Sequence, residues 1–160
     1  MKRVDAVVYT SHTGFTARYA RALAAKTGLP CRSLEEPGLR GQRVVYLSWL
    51  RAGSLCGLKK AQGRYDVAAL GVVGMSPTPN GKAMEDMTLP AFYLPGGYAP
   101  EKLKGVYKLM MAAMGKALSR TPPKDPEEAA MLRAFREGCD WVDEKHLEPL
   151  LAWLNEEEEQ

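Results

Sequence analysis

Five short apolar runs, each bounded by turn residues, alternate along the chain with stretches of helical spacing. Val4–Tyr9 is rich in β-branched residues and reads as a buried strand, and Leu29–Leu34, Arg43–Leu50, Tyr65–Val73 and Thr88–Leu94 read as further strands. After the first run, Ala17, Ala20, Leu23 and Ala24 fall on one helical face and Arg18, Arg21 and Lys26 around the other, with Gly28 as terminator. Ser54–Ala61 is a short helix candidate, and the Pro- and Gly-rich run Gly74–Gly81 predicts irregular structure. Strands alternating with helices predict a parallel sheet covered on both faces. Ligands of such sheets sit beyond the strand C-termini, near the switch in strand order. The loops after the first, third and fourth strands are therefore expected to converge on one crevice.

The pattern changes beyond the fifth run, which ends in Pro95-Gly96-Gly97. Two glycines there permit a close backbone approach or a positive φ, and a simple tight turn explains them equally. Glu101–Leu118 reads as a helix with Leu103, Val106, Tyr107, Met110, Met111 and Met114 on a wide apolar side and Lys102, Lys104, Lys108 and Lys116 elsewhere. Three roles are open to it: a packed domain helix, a partner or oligomer surface, or a membrane-surface or quinone-proximal helix. Pro126–Gly138 predicts another helix, Trp141-Val142 an extended piece, Glu144–Leu154 a closing helix, and Glu156–Glu159 a frayed, solvated tail. The whole reads as one domain over 1–155, with 98–140 as a helical insertion and 156–160 as an acidic tail.

Charge adds an asymmetry to this picture. The formal net charge is only +3, yet residues 1–100 carry 13 Lys/Arg against 6 Asp/Glu, 101–124 carry 6 against 1, and 125–160 carry 3 against 12. Such a distribution steers partners electrostatically. It does not point to nucleic acid, because no arginine-rich arm or binding motif accompanies it. Cys31, Cys56 and Cys139 are widely spaced and the two histidines lie far apart, so no metal site is expected and a reducing cytoplasm fits best. Lys2-Arg3 leads directly into a strand, which argues against a signal peptide, and no apolar run reaches the roughly 18 residues of a spanning helix.

The candidate chemistry lies in the first strand–turn–helix. Thr10-Ser11-His12-Thr13-Gly14-Phe15-Thr16 points backbone N–H groups and hydroxyls into one small volume at the positive end of a helix, which suits a phosphate. Neither Walker nor Rossmann spacing is present. The same polar residues also suit a plain helix cap.

Val7-Val8-Tyr9-x-Ser11-x-x-Gly14-x-Thr16-x-x-x-Ala20 resembles the flavin mononucleotide (FMN) signature of flavodoxins. That resemblance implies a five-stranded parallel sheet of order 2-1-3-4-5 in a three-layer α/β/α sandwich, with a helical insertion after the fifth strand. It implies FMN as cofactor, its phosphate held by hydroxyls of Ser11, Thr13 and Thr16 and by N–H groups of His12, Gly14 and Phe15, with Thr10 opening the loop. Trp49, at the end of the third strand, is either a ring-covering aromatic or a core tryptophan, and Ser48, Leu50 and Gly53 shape the same loop. Val73-Gly74-Met75 matches flavodoxin loops whose backbone meets the pyrimidine end of the flavin. His12 either lies near the cofactor or faces solvent. In layout the chain is similar to the branch that includes menaquinone-dependent protoporphyrinogen dehydrogenase, although almost no room is left for a long helix between Val73 and Thr88. The implied function is FMN-dependent electron transfer or an FMN-dependent oxidoreductase, with a redox protein or a quinone as partner. No acid–base constellation names a catalytic residue, and a non-catalytic interaction protein on this fold is the alternative of another class.

Overall fold

The computed structural model describes residues 3–51, 53–76, 78–79 and 84–159. Its strands are β1 (Ala6–Tyr9), β2 (Cys31–Ser33), β3 (Arg43–Arg51), β4 (Ser54–Leu55), β5 (Asp66–Gly74), β6 (Ala91–Pro95), β7 (Gly97–Tyr98) and β8 (Cys139–Asp140). The α-helices are α1 (Phe15–Thr27), α2 (Leu58–Arg64), α3 (Gly105–Ser119), α4 (Pro126–Glu137) and α5 (Glu148–Glu159).

The main sheet runs β2-β1-β3-β5-β6, every neighbouring pair parallel. Counting only these five strands, the order is 2-1-3-4-5. Successive side chains of a strand point to opposite faces, and here both faces are covered. Val7, Val45, Leu47, Val73 and Leu94 pack with Tyr19, Leu23 and Leu150 from α1 and α5. Ala6, Val8, Val44, Tyr46 and Val72 pack with Leu34, Ala61, Tyr65, Met84 and Met87 on the other side. This is a flavodoxin-like three-layer α/β/α sandwich. Tyr19 ties the first layer to the sheet edge: its fully buried ring carries a hydroxyl that donates to Pro95 O at 2.5 Å. Burial pushes that phenol up to about 12.

Three sequence expectations need correction. Ser54–Leu55 is not the start of a helix: it pairs antiparallel with Leu50–Arg51, and α2 begins only at Leu58. The reason is local, because Gly53 at φ 81° and Gly57 at φ 75° turn the chain twice where a helix would need αR backbone. Helix 101–118 is broken early, with a 3₁₀ turn at Pro100–Lys102 and α3 starting at Gly105, φ 61°. The acidic end does not fray, since α5 continues to Glu159 and Glu157 Oε2 accepts from Arg43 Nη2 at 3.0 Å. Of the expected loop 74–81, Pro77 and Asn80-Gly81 lie outside the described residues, as does the side chain of Tyr107 in α3.

The helical insertion leaves and rejoins the domain at one place. β7 and β8 pair antiparallel, Gly97 opposite Asp140 and Tyr98 opposite Cys139, and Trp141 N donates to Gly96 O at 2.8 Å. The extended piece expected at Trp141-Val142 therefore begins two residues earlier. Gly97 is required at this clasp, because a Cβ there would lie 2.4 Å from Cys139 O and 2.8 Å from Cε1 of Phe15. Neither Gly96 nor Gly97 has a positive φ, so close approach is their reason. Arg18 Nη1 in α1 donates to Asp140 Oδ2 at 2.7 Å, which locks the clasp to the first helix.

Candidate functional site

A cleft of about 340 Å³ opens beyond the C-terminal ends of β1, β3 and β5. That volume lies within the roughly 300–1,000 Å³ of small-molecule sites. Three chain segments supply one wall: His12 after β1, Trp49-Leu50-Arg51 and Gly53 around the end of β3, and Val73-Gly74-Met75-Ser76 at the end of β5. The opposite wall comes from the insertion, through Tyr98, Leu103, Met110, Met111 and Met114. The rings of His12 and Trp49 stand 5.6 Å apart and tilted by 30°.

The loop after β1 is organised by Ser11. Its Oγ accepts from Gly14 N at 3.2 Å and from Ala17 N at 3.3 Å, so a hydroxyl gathers N–H groups at the start of α1. The first N–H groups of any helix lack intrahelical acceptors, and this is where an anion is stabilised. Gly14 sits at φ 100°, the conformation that turns the loop into the helix. Among the described residues the loop brings no Lys or Arg between Thr10 and Thr16.

The remaining predicted residues divide by geometry. His12, Trp49, Leu50, Gly53, Val73, Gly74 and Met75 share the cleft. Thr10, Ser11, Thr13, Gly14, Phe15, Thr16 and Ser48 are not among its lining residues. Thr10 Oγ1 is 2.7 Å from Tyr46 Oη, which itself donates to Cys56 O at 2.7 Å, so the threonine supplies the proton of the first bond. Ser48, fully buried, donates to the same Cys56 carbonyl at 2.7 Å. These bonds hold the segment between β4 and α2 against β3. Thr16 is buried in the helix start, and Phe15 lays its ring against Gly97.

Sequence reasoning missed Arg51, Ser76 and Tyr93 as wall residues. Tyr93 Oη donates to Ser76 O at 2.7 Å and accepts from Ser76 N at 3.2 Å, pinning the loop after β5. Gly74 makes that possible, since a Cβ there would meet Tyr93 Oη at 2.5 Å. A polar-tipped aromatic near the end of an apolar edge strand was the available signal. Gly74 O in turn accepts from Gly96 N at 2.8 Å.

The cleft contains no cluster of three His, Cys, Asp or Glu able to hold a metal among the described residues. Nor is any helix among them long and apolar enough to cross a membrane. Comparison of the chain with protein-family models, with curated proteins and with solved structures gives no match, so the flavodoxin-like fold rests on strand order and layering alone.

Proposed function

We propose that the chain is an FMN-binding redox protein in which the flavin ring enters the cleft beside Trp49 and the phosphate meets the loop of residues 10–16. One observation carries this reading. The three loops at the C-terminal ends of adjacent parallel strands meet at one largely apolar cleft, next to a helix start whose N–H groups are already gathered by a hydroxyl.

The residues fit the group in kind. Ser11, Thr13 and Thr16 carry hydroxyls, and His12, Gly14 and Phe15 carry N–H groups, at the positive end of α1. Several such donors offset a dianion without a lysine. Trp49 and His12 offer ring faces, Leu50 and Gly53 shape the edge, and Val73-Gly74-Met75 offers strand-end backbone, fixed by Tyr93. FMN, when bound, supplies electron or hydride transfer; the protein binds, orients and shields it. Met110, Met111 and Met114 give the far side of the cleft an apolar lining.

The redox partner is a protein or a quinone, reached over α3. Val106 and Leu109 of that helix are 61% and 73% exposed, beside Lys104 and Lys108. Apolar residues ringed by lysines suit an acidic protein or the peripheral membrane surface where quinones dissolve. The finer alternative is a menaquinone-dependent protoporphyrinogen dehydrogenase activity, and cytoplasmic location accompanies all of these. Reconstitution with FMN followed by a screen of quinones, porphyrinogens and reductases tests the reading. Turnover with one class identifies the partner, and a protein that never takes up FMN leaves only a non-catalytic interaction role.

A further inference from the structure

A second cavity, of about 360 Å³, lies between α3 and α4 and shares Tyr98 and Met111 with the cleft. Its floor is apolar, with Met111 and Leu132, and its rim carries Lys108, Lys116 and Arg136. No carboxylate is among its described lining residues, and among the described residues none of these three cations is in an ion pair. Arg18, Lys26, Arg43, Lys60 and Lys145 do pair with carboxylates; what sets the groove apart is that three such cations converge on one apolar cavity. The groove thus joins an apolar floor to uncompensated positive charge.

We infer that this groove binds an organic carboxylate with an apolar body. Its carboxylate lies at the Lys108–Lys116–Arg136 rim and its body runs over Met111 and Leu132 to Tyr98. Charge complementarity selects the anion. Arg136 offers a planar fork suited to a carboxylate, and the two lysines add flexible point charges. The apolar floor rejects small hydrophilic anions, which gain nothing from it. Tyr98 and Met111 are the partition between the groove and the cleft, so the ligand's body ends beside the site assigned above. That adjacency makes such acids a substrate or effector class for the redox reaction, a point that rests on the proposed flavin reading.

The test uses the full chain as isolated and after addition of FMN, with FMN content read from absorbance in every sample. The probe is naphthylhexanoate, titrated calorimetrically at low salt beside its neutral amide. We expect the acid to bind about 10-fold tighter than the amide, the scale of a few exposed cation contacts. That preference falls below about twofold in Lys108→Ala/Lys116→Ala/Arg136→Ala, and also at high salt in the unmodified protein. FMN content and melting temperature stay unchanged in the variant, because all three substitutions are exposed. Equal binding of acid and amide, or a preference that survives in the triple variant, overturns the groove. An acid preference in protein that takes up no FMN overturns the flavin reading and leaves the groove standing.

Discussion

The imidazole of His12 and the indole of Trp49 lie 5.6 Å apart on one wall of the cleft, although 37 positions separate them in sequence. The pair brings the loop after β1 against the end of β3, two strands that lie side by side in the sheet. A flavin entering here meets an aromatic wall worth ~0.5–1.5 kcal/mol beyond its buried area. FMN is therefore expected to quench the emission of Trp49 strongly. Trp153, packed against Phe92 at 6.4 Å, and Trp141, at the clasp, belong to other parts of the fold. The quench disappears in Trp49→Phe and persists when Trp141 or Trp153 is changed. Full quenching in Trp49→Phe places the ring elsewhere.

Ser11 caps N–H groups at the start of α1. Removing its hydroxyl in Ser11→Ala strips an acceptor from Gly14 N and Ala17 N and costs the free protein about 1 kcal/mol, the worth of a helix cap. Saturating FMN does not recover that loss, and it stabilises Ser11→Ala less than the natural chain, because the proposed phosphate site has lost a hydroxyl donor. Thermal melts with and without FMN check this, and a loss that FMN recovers denies Ser11 a place among the phosphate ligands.

Tyr93→Phe reads the other end of the cleft. It removes the hydroxyl that bonds both Ser76 O and Ser76 N, at about 1–2 kcal/mol. The loop after β5 then loosens, and FMN and riboflavin weaken equally, since this loop is remote from the phosphate. A selective loss of FMN would contradict the assignment of Val73-Gly74-Met75 to the ring.

The Arg18–Asp140 pair gives the fold a pH signature. Burial works to raise the Asp140 carboxyl, but the hydrogen bond from Arg18, the N–H of Val142 and the charges of Arg18 and Lys102 outweigh it and hold it below its ordinary 3.8. A depressed carboxylate contributes stability that is fully present above its unfolded value and is lost as pH falls through its folded value. Asp140→Asn is therefore less stable than the natural chain near neutral pH, by no more than about 1 kcal/mol because both side chains are half exposed. The gap closes as pH falls below 3.8. Melting curves of both proteins across that range decide it, and a gap independent of pH would assign the effect to packing.

The strands and the layering were legible because apolar runs alternate with helical stretches along the chain, whereas the order 2-1-3-4-5 was implied only by the resemblance of the first strand–turn–helix to flavodoxins. The turn at Gly53 and the pairing of Ser54–Leu55 were not, because an αL glycine reverses the chain inside what reads as a helical run. The cleft was legible in its first wall, from His12, Trp49 and the end of β5. Its pinning by Tyr93 was hidden, since the bond to Ser76 spans 17 positions and depends on the space left by Gly74. The roles of Thr10 and Ser48 were hidden too: Thr10 bonds Tyr46, 36 positions away, and Ser48 bonds the carbonyl of Cys56 beyond β4.

The most direct measurement is a calorimetric titration of the purified protein with FMN and with riboflavin, run on the natural chain and on Ser11→Ala/Thr13→Ala. The account predicts saturable binding of one FMN per chain and weaker binding of riboflavin. In the double variant FMN loses about 10-fold or more while riboflavin changes little, the signature of charge-assisted phosphate bonds at residues 10–16. Absence of FMN binding, or equal weakening of both ligands, would contradict the central claim.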